Sequence, residues 1–207
     1  MLPNDQPGSA HSPLGADERA ALVAKLHEYL GGGRVQHSEN VADAALVLAA
    51  AHAPELSRQA EIAGLVHDSA KKLRDEQLIE LAERFDIVIT PGERETPQLL
   101  HGKVGAALLP ERFGITDPAV QTAVTDHVCG RDEMGVLSQI LFVADQMAEG
   151  RVFPGVEVLR ELAPRELASA VGWVARKKIE HVLGQGQWIE PATVSVWNRF
   201  RSKSAAG

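Results

Sequence analysis

Apolar residues recur at helical spacing along nearly the whole chain. In one segment Val41, Ala45 and Leu48 are four and three residues apart, which places them on one face of a helix. Aromatic residues make up only 4% of the 207 residues, so small and aliphatic side chains must fill the interior. A core of that composition favours closely packed helices. We therefore predict an all-α fold, a single compact helical bundle.

Glycine and proline mark the ends of the helical segments. The run Gly31–Gly33 predicts a helix stop. The stretch Asp86–Gln98, with two prolines and a glycine, is the one long irregular segment, and we expect an extended lid or connector there. We predict helices on both sides of this segment and a short final helix that begins at Pro191. The predicted helices cover residues 16–30, 38–52, 57–72, 75–85, 99–109, 118–128, 135–149 and 164–183.

The ends of the chain differ in composition from the middle. Residues 1–15 carry proline, glycine and serine without the basic and apolar regions of a signal peptide, and predict a disordered leader. Residues 201–207 predict a flexible tail, which leaves one domain over residues 16–200. The single cysteine, Cys129, fits a reducing compartment, and the chain has no apolar run of the length of a membrane span. We expect a cytoplasmic protein that does not bind membranes.

The net charge also limits the partners. A formal charge of -7 disfavours a nucleic-acid surface, which normally carries a basic excess. It also means that a polyphosphate substrate would be repelled by the protein as a whole. A site for such a substrate must supply its own positive charge from metal ions and a few local lysine or arginine residues.

Several histidine and aspartate residues stand within apolar sequence. His67 and Asp68 follow Gly-Leu-Val near the end of a predicted helix, where an unpaired imidazole and carboxylate would be costly. Metal coordination would satisfy both side chains, with further ligands from neighbouring helices. The candidates for those ligands are His37, His101, His127 and Asp145.

These residues resemble the pattern of the HD superfamily of metal phosphohydrolases. The pattern H…HD…D is carried by His37, by His67 with Asp68, and by Asp145. The additional histidines, His101 and His127, are similar to those of the binuclear branch. In that branch the aspartate of the HD pair, here Asp68, bridges two divalent ions.

The resemblance extends to the YqeK-type family of symmetrical diadenosine-tetraphosphate hydrolases. Six sequence blocks occur in the order of that family, from about Arg34 to Phe200. The blocks are Arg34-x-x-His37, His67-Asp68-Ser69-Ala70-Lys71, Glu95-x-Pro97-x-Leu99-Leu100-His101-Gly102-x-Val104-Gly105, His127-x-x-Gly130-Arg131, Leu141-Phe142-Val143-Ala144-Asp145 and Arg151-x-Phe153-Pro154-Gly155-Val156.

The resemblance implies hydrolysis of diadenosine tetraphosphate to two ADP. It implies a pair of metal ions, and iron is the metal that we expect. Manganese, cobalt and zinc also suit imidazole and carboxylate ligands. Lys71 follows Asp68 by one helical turn, so we assign it to catalysis and substrate binding together with the metal ligand Asp68. Arg34, Lys103 and Arg131 are further candidates for phosphate binding. The adenosine pocket cannot be placed from the sequence, and we expect the Asp86–Gln98 connector to form one wall.

Two other readings of the same residues stay open at this point. In the first, the site is kept and the substrate differs: a nucleotidase, a cyclic-nucleotide phosphodiesterase or a guanosine-alarmone hydrolase. In the second, the chain is a non-catalytic nucleotide sensor that retains the helical scaffold. All six ligand candidates are present, which favours an enzyme. The oligomeric state does not follow from the sequence.

Overall fold

The computed structural model describes residues 12–201, and every regular element in that range is helical. The predicted all-α class is confirmed. Two short 3-10 turns, Pro54–Leu56 and Pro97–Leu100, accompany the α-helices. The α-helices are α1 (Ala16–Tyr29), α2 (Gly32–His52), α3 (Ser57–Val66), α4 (Asp75–Arg84), α5 (Pro91–Glu95), α6 (His101–Phe113), α7 (Pro118–Asp126), α8 (Val136–Met147), α9 (Val156–Leu162), α10 (Leu167–Gly184) and α11 (Pro191–Phe200).

One large apolar core occupies the middle of the bundle. Helix α2 packs against α3 and α8, α7 packs against α6 and α8, and α10 packs against α8 and α11. Helix α8 is the most completely enclosed, with Ile140, Leu141 and Phe142 all inaccessible to solvent. A smaller apolar cluster, which includes Leu78 and Leu100, lies between α4 and α6. The predominance of alanine in the core lets the helices approach closely.

Glycines permit the two helix approaches that matter most for the site. A Cβ on Gly64 of α3 would lie 2.5 Å from the Cα of Ala42 on α2. A Cβ on Gly102 of α6 would lie 2.8 Å from a methyl of Val128, just after α7. Larger side chains would push these elements apart. The first approach brings α2 against α3, and the second brings α6 against α7.

We expected the whole run Gly31–Gly33 to separate two helices, but only its first residue lies between them. Leu30 and Gly31 have extended conformations that separate the two helices, and α2 already begins at Gly32. Gly32 and Gly33 are therefore the first two residues of α2. The prediction that α2 starts at Ser38 was wrong, and His37 lies in the second turn of the helix.

The segment Asp86–Gln98 was predicted to be irregular, and it contains the short helix α5. Thr90 Oγ1 accepts a hydrogen bond from the Glu93 N–H, and the Glu93 carboxylate accepts one from the Thr90 N–H. Pro91 occupies the first helical position, which suits its fixed φ. This reciprocal capping, Thr-Pro-x-Glu, was a readable signal for a helix start.

Two further boundaries differ from the sequence expectation. Helix α3 ends at Val66 rather than near Lys72, and the chain continues through turns. The last long helical segment, predicted from Pro164, begins at Leu167, and it is preceded by a separate helix, α9. Gly155 has a φ of +93° immediately before α9, a conformation that side chains disfavour. That glycine allows the chain to turn into α9.

The described helices run from Ala16 to Phe200. Most of the predicted leader (residues 1–15) and of the predicted tail (201–207) lies outside residues 12–201. Among the described helices, none combines the length and the apolar character needed to cross a bilayer.

Candidate metal centre

Six side chains from five helical segments meet in one cleft. His37 comes from α2, His67 and Asp68 from the end of α3, and Asp145 from α8; the other two are His101 and His127. The cleft has a volume of about 430 Å³ and opens to solvent beside Arg34 and Lys71. Apart from His37, every one of the six is buried. The structure thus brings together all the metal ligands that the sequence predicts.

Three of the imidazoles are held by the backbone of their own segments. The Nδ1 atoms of His67, His101 and His127 each lie 2.5 to 2.7 Å from a carbonyl oxygen three residues earlier. A carbonyl oxygen accepts and cannot donate, so Nδ1 carries the proton in all three rings. Each of these histidines is the residue that follows a helical element, and its ring binds a carbonyl of the last turn of that element. Their Nε2 lone pairs are therefore available to a ligand, and that of His101 has the Lys71 ammonium 3.5 Å away.

The free Nε2 atoms face one another across a short gap. His101 Nε2 and His127 Nε2 are 3.1 Å apart, and neither carries a proton when Nδ1 does. His67 Nε2 is completely buried and has no hydrogen-bond partner in the described part of the chain. Facing lone pairs and an unpaired buried nitrogen are unfavourable unless a cation accepts them. The donor set therefore fits a divalent metal.

Asp68 lies between the histidines and presents its two oxygens to different ones. Its Oδ1 is 3.3 Å from His101 Nε2 and 3.8 Å from His127 Nε2. Its Oδ2 is 3.8 Å from His67 Nε2 and accepts a hydrogen bond from Arg34 at 3.0 Å. The Asp68 carboxylate thus faces His101 and His127 with one oxygen and His67 with the other.

Asp145 and His37 form the more open side of the cleft. Asp145 Oδ1 lies 3.1 Å from His37 Nε2 and 3.8 Å from His67 Nε2. The Arg151 guanidinium donates to the same Asp145 oxygen, and its Nε donates to the Asp145 backbone carbonyl at 2.7 Å. Among residues 12–201, two groups of three side chains have ligand atoms close enough to share an ion, and both contain His67. They are His37, His67 and Asp145, and His67, Asp68 and His127.

The environment sets the protonation states that metal binding requires. Burial lowers the pKa of His67 to about 4, and it also lowers the pKa values of His101 and His127. Burial opposes ionisation of Asp68 and Asp145, but the neighbouring His67 and His37 rings outweigh it and hold both pKa values well below 3.8. Near neutral pH the three buried imidazoles are neutral and the carboxylates are ionised, as metal ligands must be.

Two of the predicted phosphate-binding residues line the cleft. Arg34 is bound to Asp68 and its side chain remains 44% exposed, so it can also contact a ligand. Lys71 Nζ lies 3.4 Å from His101 Nδ1, and burial lowers its pKa. Both cations are directed toward the space beside the carboxylates.

The other two predicted phosphate-binding residues lie outside the cleft. Lys103 donates to the Glu93 carboxylate at 2.8 Å and to the Val88 carbonyl at 3.1 Å. Arg131 Nε pairs with Asp126, the buried residue before His127, at 3.1 Å. Neither side chain lines the cleft, so their assignment to phosphate binding has no geometric support.

Two cations of the cleft were not predicted as site residues. Arg151 begins the last of the six sequence blocks, but we assigned no role to it from the sequence. Lys178 lines the cleft from α10 and donates to the Val128 carbonyl at 2.8 Å. Burial lowers the pKa of Lys178. Its position, four residues after Val174 and four before Val182 on the apolar stripe of α10, was the signal that could have identified it.

A family model for the HD domain matches residues 34–150. A symmetrical bis(5'-nucleosyl)-tetraphosphatase of Bacillus subtilis is 29% identical over 90% of this chain and 99% of that protein. A protein of the same name from Halalkalibacterium halodurans is 33% identical over 88% of this chain and 96% of its own. A crystal structure from Clostridium acetobutylicum, described as a predicted HD superfamily hydrolase involved in NAD metabolism, superposes with a TM-score of 0.84. It shares 33% identity and covers 91% of this chain and 98% of that one.

The chain belongs to the HD-domain family and, within it, to the family of the symmetrical bis(5'-nucleosyl)-tetraphosphatases. The resemblance drawn from the six sequence blocks is thereby confirmed. HD-domain hydrolases bind divalent metals, in agreement with the donor set of the cleft.

Proposed function

We propose that this protein is a metal-dependent enzyme that hydrolyses diadenosine tetraphosphate symmetrically to two ADP. The relatives that bear this activity in their names match nearly the full length of the chain. The observation that carries the proposal is the pair of facing Nε2 atoms of His101 and His127, with Asp68 beside them. This arrangement is suited to bind a divalent ion, which would accept the facing lone pairs.

The contacts support two adjacent ions with Asp68 between them. His37, His67 and Asp145 would hold one ion, since their ligand atoms form a compact group. His101 and His127 would hold the other, and Asp68 would contribute one oxygen to each. By resemblance to the binuclear family the metal is iron, although manganese, cobalt or zinc would suit the same ligands.

Bound divalent ions would lower the pKa of water and neutralise charge on phosphoryl oxygens. The protein's own cations would complete that neutralisation. Arg34, Lys71, Arg151 and Lys178 all line the cleft, so the site is locally positive in a chain of net charge -7. Arg34 and Lys71 would orient the central phosphates, and the carboxylates would keep the neighbouring imidazoles in place. Attack of one water molecule on a phosphorus beside the central bridging oxygen would break the bond between that phosphorus and the bridging oxygen. The water oxygen would stay on one ADP, the bridging oxygen would leave with the other, and the protons of the water would pass to the products and solvent.

The product pattern and the bound metal test this proposal together. Protein purified without chelator is expected to contain a transition metal and to convert diadenosine tetraphosphate into ADP alone. The variant His67→Ala, which removes the unpaired buried nitrogen, is expected to lose both metal and turnover. Formation of AMP with ATP would contradict symmetrical cleavage. Absence of turnover with iron, manganese and cobalt would contradict the enzymatic function and favour a nucleotide sensor.

The remaining expectations about this protein stay predictions. We infer from the proposed activity that its partner is a small-molecule nucleotide. A cytoplasmic location and the absence of nucleic-acid binding rest on the single cysteine and the net charge. The same products assay, applied to mononucleotides, cyclic nucleotides and guanosine alarmones, separates the proposed substrate from the alternatives.

A further inference from the structure

A second cavity lies directly beside the metal cleft. It has a volume of about 190 Å³ and is lined mostly by apolar side chains. Val128 and Lys178 line both the cleft and this cavity, so the two spaces adjoin each other at these side chains. The remaining lining comes chiefly from α10 and from the segment that precedes α11, which includes Trp188 and Glu190. None of these residues belongs to the metal centre.

Trp188 presents an aromatic surface to this cavity. Trp188 is 43% exposed, and among the described residues its ring contacts no other aromatic side chain. Gly92 of α5 lies close to the indole: a Cβ on Gly92 would collide with Trp188 Cδ1 and with a Glu190 oxygen. The backbone of Gly92 thus packs beside the five-membered ring of Trp188. An exposed aromatic face with a fixed position is typical of a surface on which a flat ring stacks.

Glu190 supplies a polar group in the same cavity. The residue is only 8% exposed, and its Oε1 accepts a hydrogen bond from Thr90 Oγ1 at 2.8 Å. In the part of the chain that the structure describes, no hydrogen bond involves its Oε2. A carboxylate oxygen accepts hydrogen bonds only, so its natural partner in an apolar pocket is an N–H donor of a ligand.

Lys178 stands where the cleft and the cavity meet. Its ammonium donates to the carbonyl oxygens of Val128 at 2.8 Å and His127 at 3.4 Å. An ammonium has three donors, so one remains for a ligand. A molecule that extends from the metal centre into the cavity must pass this positive charge. A nucleotide, whose phosphates and aromatic base are joined through a ribose, would match that order of groups.

We propose that this cavity binds the purine base of one nucleoside end of the substrate, with the ring on Trp188 and an exocyclic amino group directed to Glu190 Oε2. The proposal rests on the proposed function and adds the position of one base. In this proposal the Asp86–Gln98 segment, which we expected to form one wall, contacts the wall residues Trp188 and Glu190 through Thr90 and Gly92.

A third cavity next to the cleft contains Phe153 and offers a competing location. Its ring is already packed near Trp173, with 6.2 Å between the centroids. That contact leaves Phe153 less available for stacking than Trp188. The one carboxylate that lines this cavity, Glu180, is bound to Arg176 and Lys177.

The test compares Trp188→Ala with Val88→Ala, a change at a residue that is 81% exposed and outside all three cavities. For Trp188→Ala we expect KM for diadenosine tetraphosphate and Kd for ADP to rise about 10-fold, with kcat nearly unchanged, because loss of base stacking weakens binding. Trp188→Phe is expected to restore most of the affinity, which also shows that the pocket is folded. Inhibition by inorganic tripolyphosphate, which has no base, is expected to remain as in the unmodified protein.

The outcomes separate this proposal from the proposed function. If Trp188→Ala changes neither KM nor the affinity for ADP while the unmodified protein forms ADP, the pocket assignment is wrong and the activity stands. The same conclusion follows if Phe153→Ala weakens ADP binding and Trp188→Ala does not. If the unmodified protein forms no ADP, the proposed function is wrong, and the affinity for ADP alone decides the pocket.

Discussion

The two halves of the metal centre are built in different ways. The inner half consists of Asp68, His101 and His127, and the outer half consists of His37 and Asp145, with His67 between them. The His127 side chain is 3% exposed and its ring is fixed by a backbone carbonyl, whereas the His37 side chain is 20% exposed. The inner half is therefore positioned by main chain and burial, and the outer half by side-chain contacts with Arg151. We expect the inner half to be the more rigid and the outer half to respond more to the substrate.

The largest effect is expected where both halves meet, at Asp68. The variant Asp68→Ala removes the carboxylate that faces both groups of imidazoles. We expect hydrolysis to fall by at least about 100-fold, with loss of metal from both halves. Asp43→Ala, which removes a carboxylate at the surface, is the matched control. Full metal content in the Asp68 variant would show that the halves do not share this residue.

Single histidine variants would separate the two halves. His37→Ala is expected to retain metal in the inner half, and His127→Ala to retain it in the outer half, each at about half the metal content of the unmodified protein. Only His127→Ala also removes a buried hydrogen bond to the backbone, worth about 1 kcal/mol. Its metal-free form should therefore melt about 2–4 °C lower than that of His37→Ala. Equal melting temperatures would contradict the difference in how the two histidines are held.

A smaller effect is expected from the arginine of the outer half. Arg151→Gln removes the guanidinium that holds Asp145 beside His37, and we expect kcat/KM to fall about 10- to 100-fold. Arg131→Gln is the control, since Arg131 pairs with Asp126 outside the cleft. A loss of the same size in both variants would mean that general charge, rather than the position of Asp145, determines activity.

The smallest effect concerns the stability of the metal-free protein as the pH changes. Because burial lowers the pKa of His67 to about 4 while the unfolded residue has an ordinary value near 6.5, the unfolded chain binds the proton first. The stabilising contribution is complete above pH 6.5 and is lost as the pH falls toward 4. His101 and His127 act in the same direction. Thermal unfolding between pH 7 and 4 should show this decline, and His67→Asn should make it shallower while His27→Asn, on the surface of α1, should not.

Much of the centre could be predicted because its residues stand in apolar sequence. A histidine or carboxylate in such surroundings needs a partner, and His67, Asp68 and Asp145 were identified on that ground together with the order of the blocks. The helical fold followed from the spacing of aliphatic residues in the same way. Both inferences use local sequence. Local sequence indicates which residues are buried, but it does not indicate where a neighbouring helix lies.

Sequence proximity was a poor guide to the phosphate-binding cations. Lys103 is two residues after His101 on a helix, so its side chain points about 200° away around the axis and reaches Glu93. Lys178 is 33 residues after the last predicted ligand, and only the packing of α10 on α8 brings it to the cleft. Which cations surround a site depends on helix packing, and that could not be read from adjacent residues.

The backbone hydrogen bonds of His67, His101 and His127 affect how distant relatives should be interpreted. Each of these rings also forms a hydrogen bond at the end of its own helical segment. A relative that had lost catalytic activity would therefore still gain stability by keeping the three histidines. Retention of these three residues is then weak support for activity in such a protein. His37 and Asp145 lack that second role, so their replacement would be the earlier indication that a relative has lost catalytic activity.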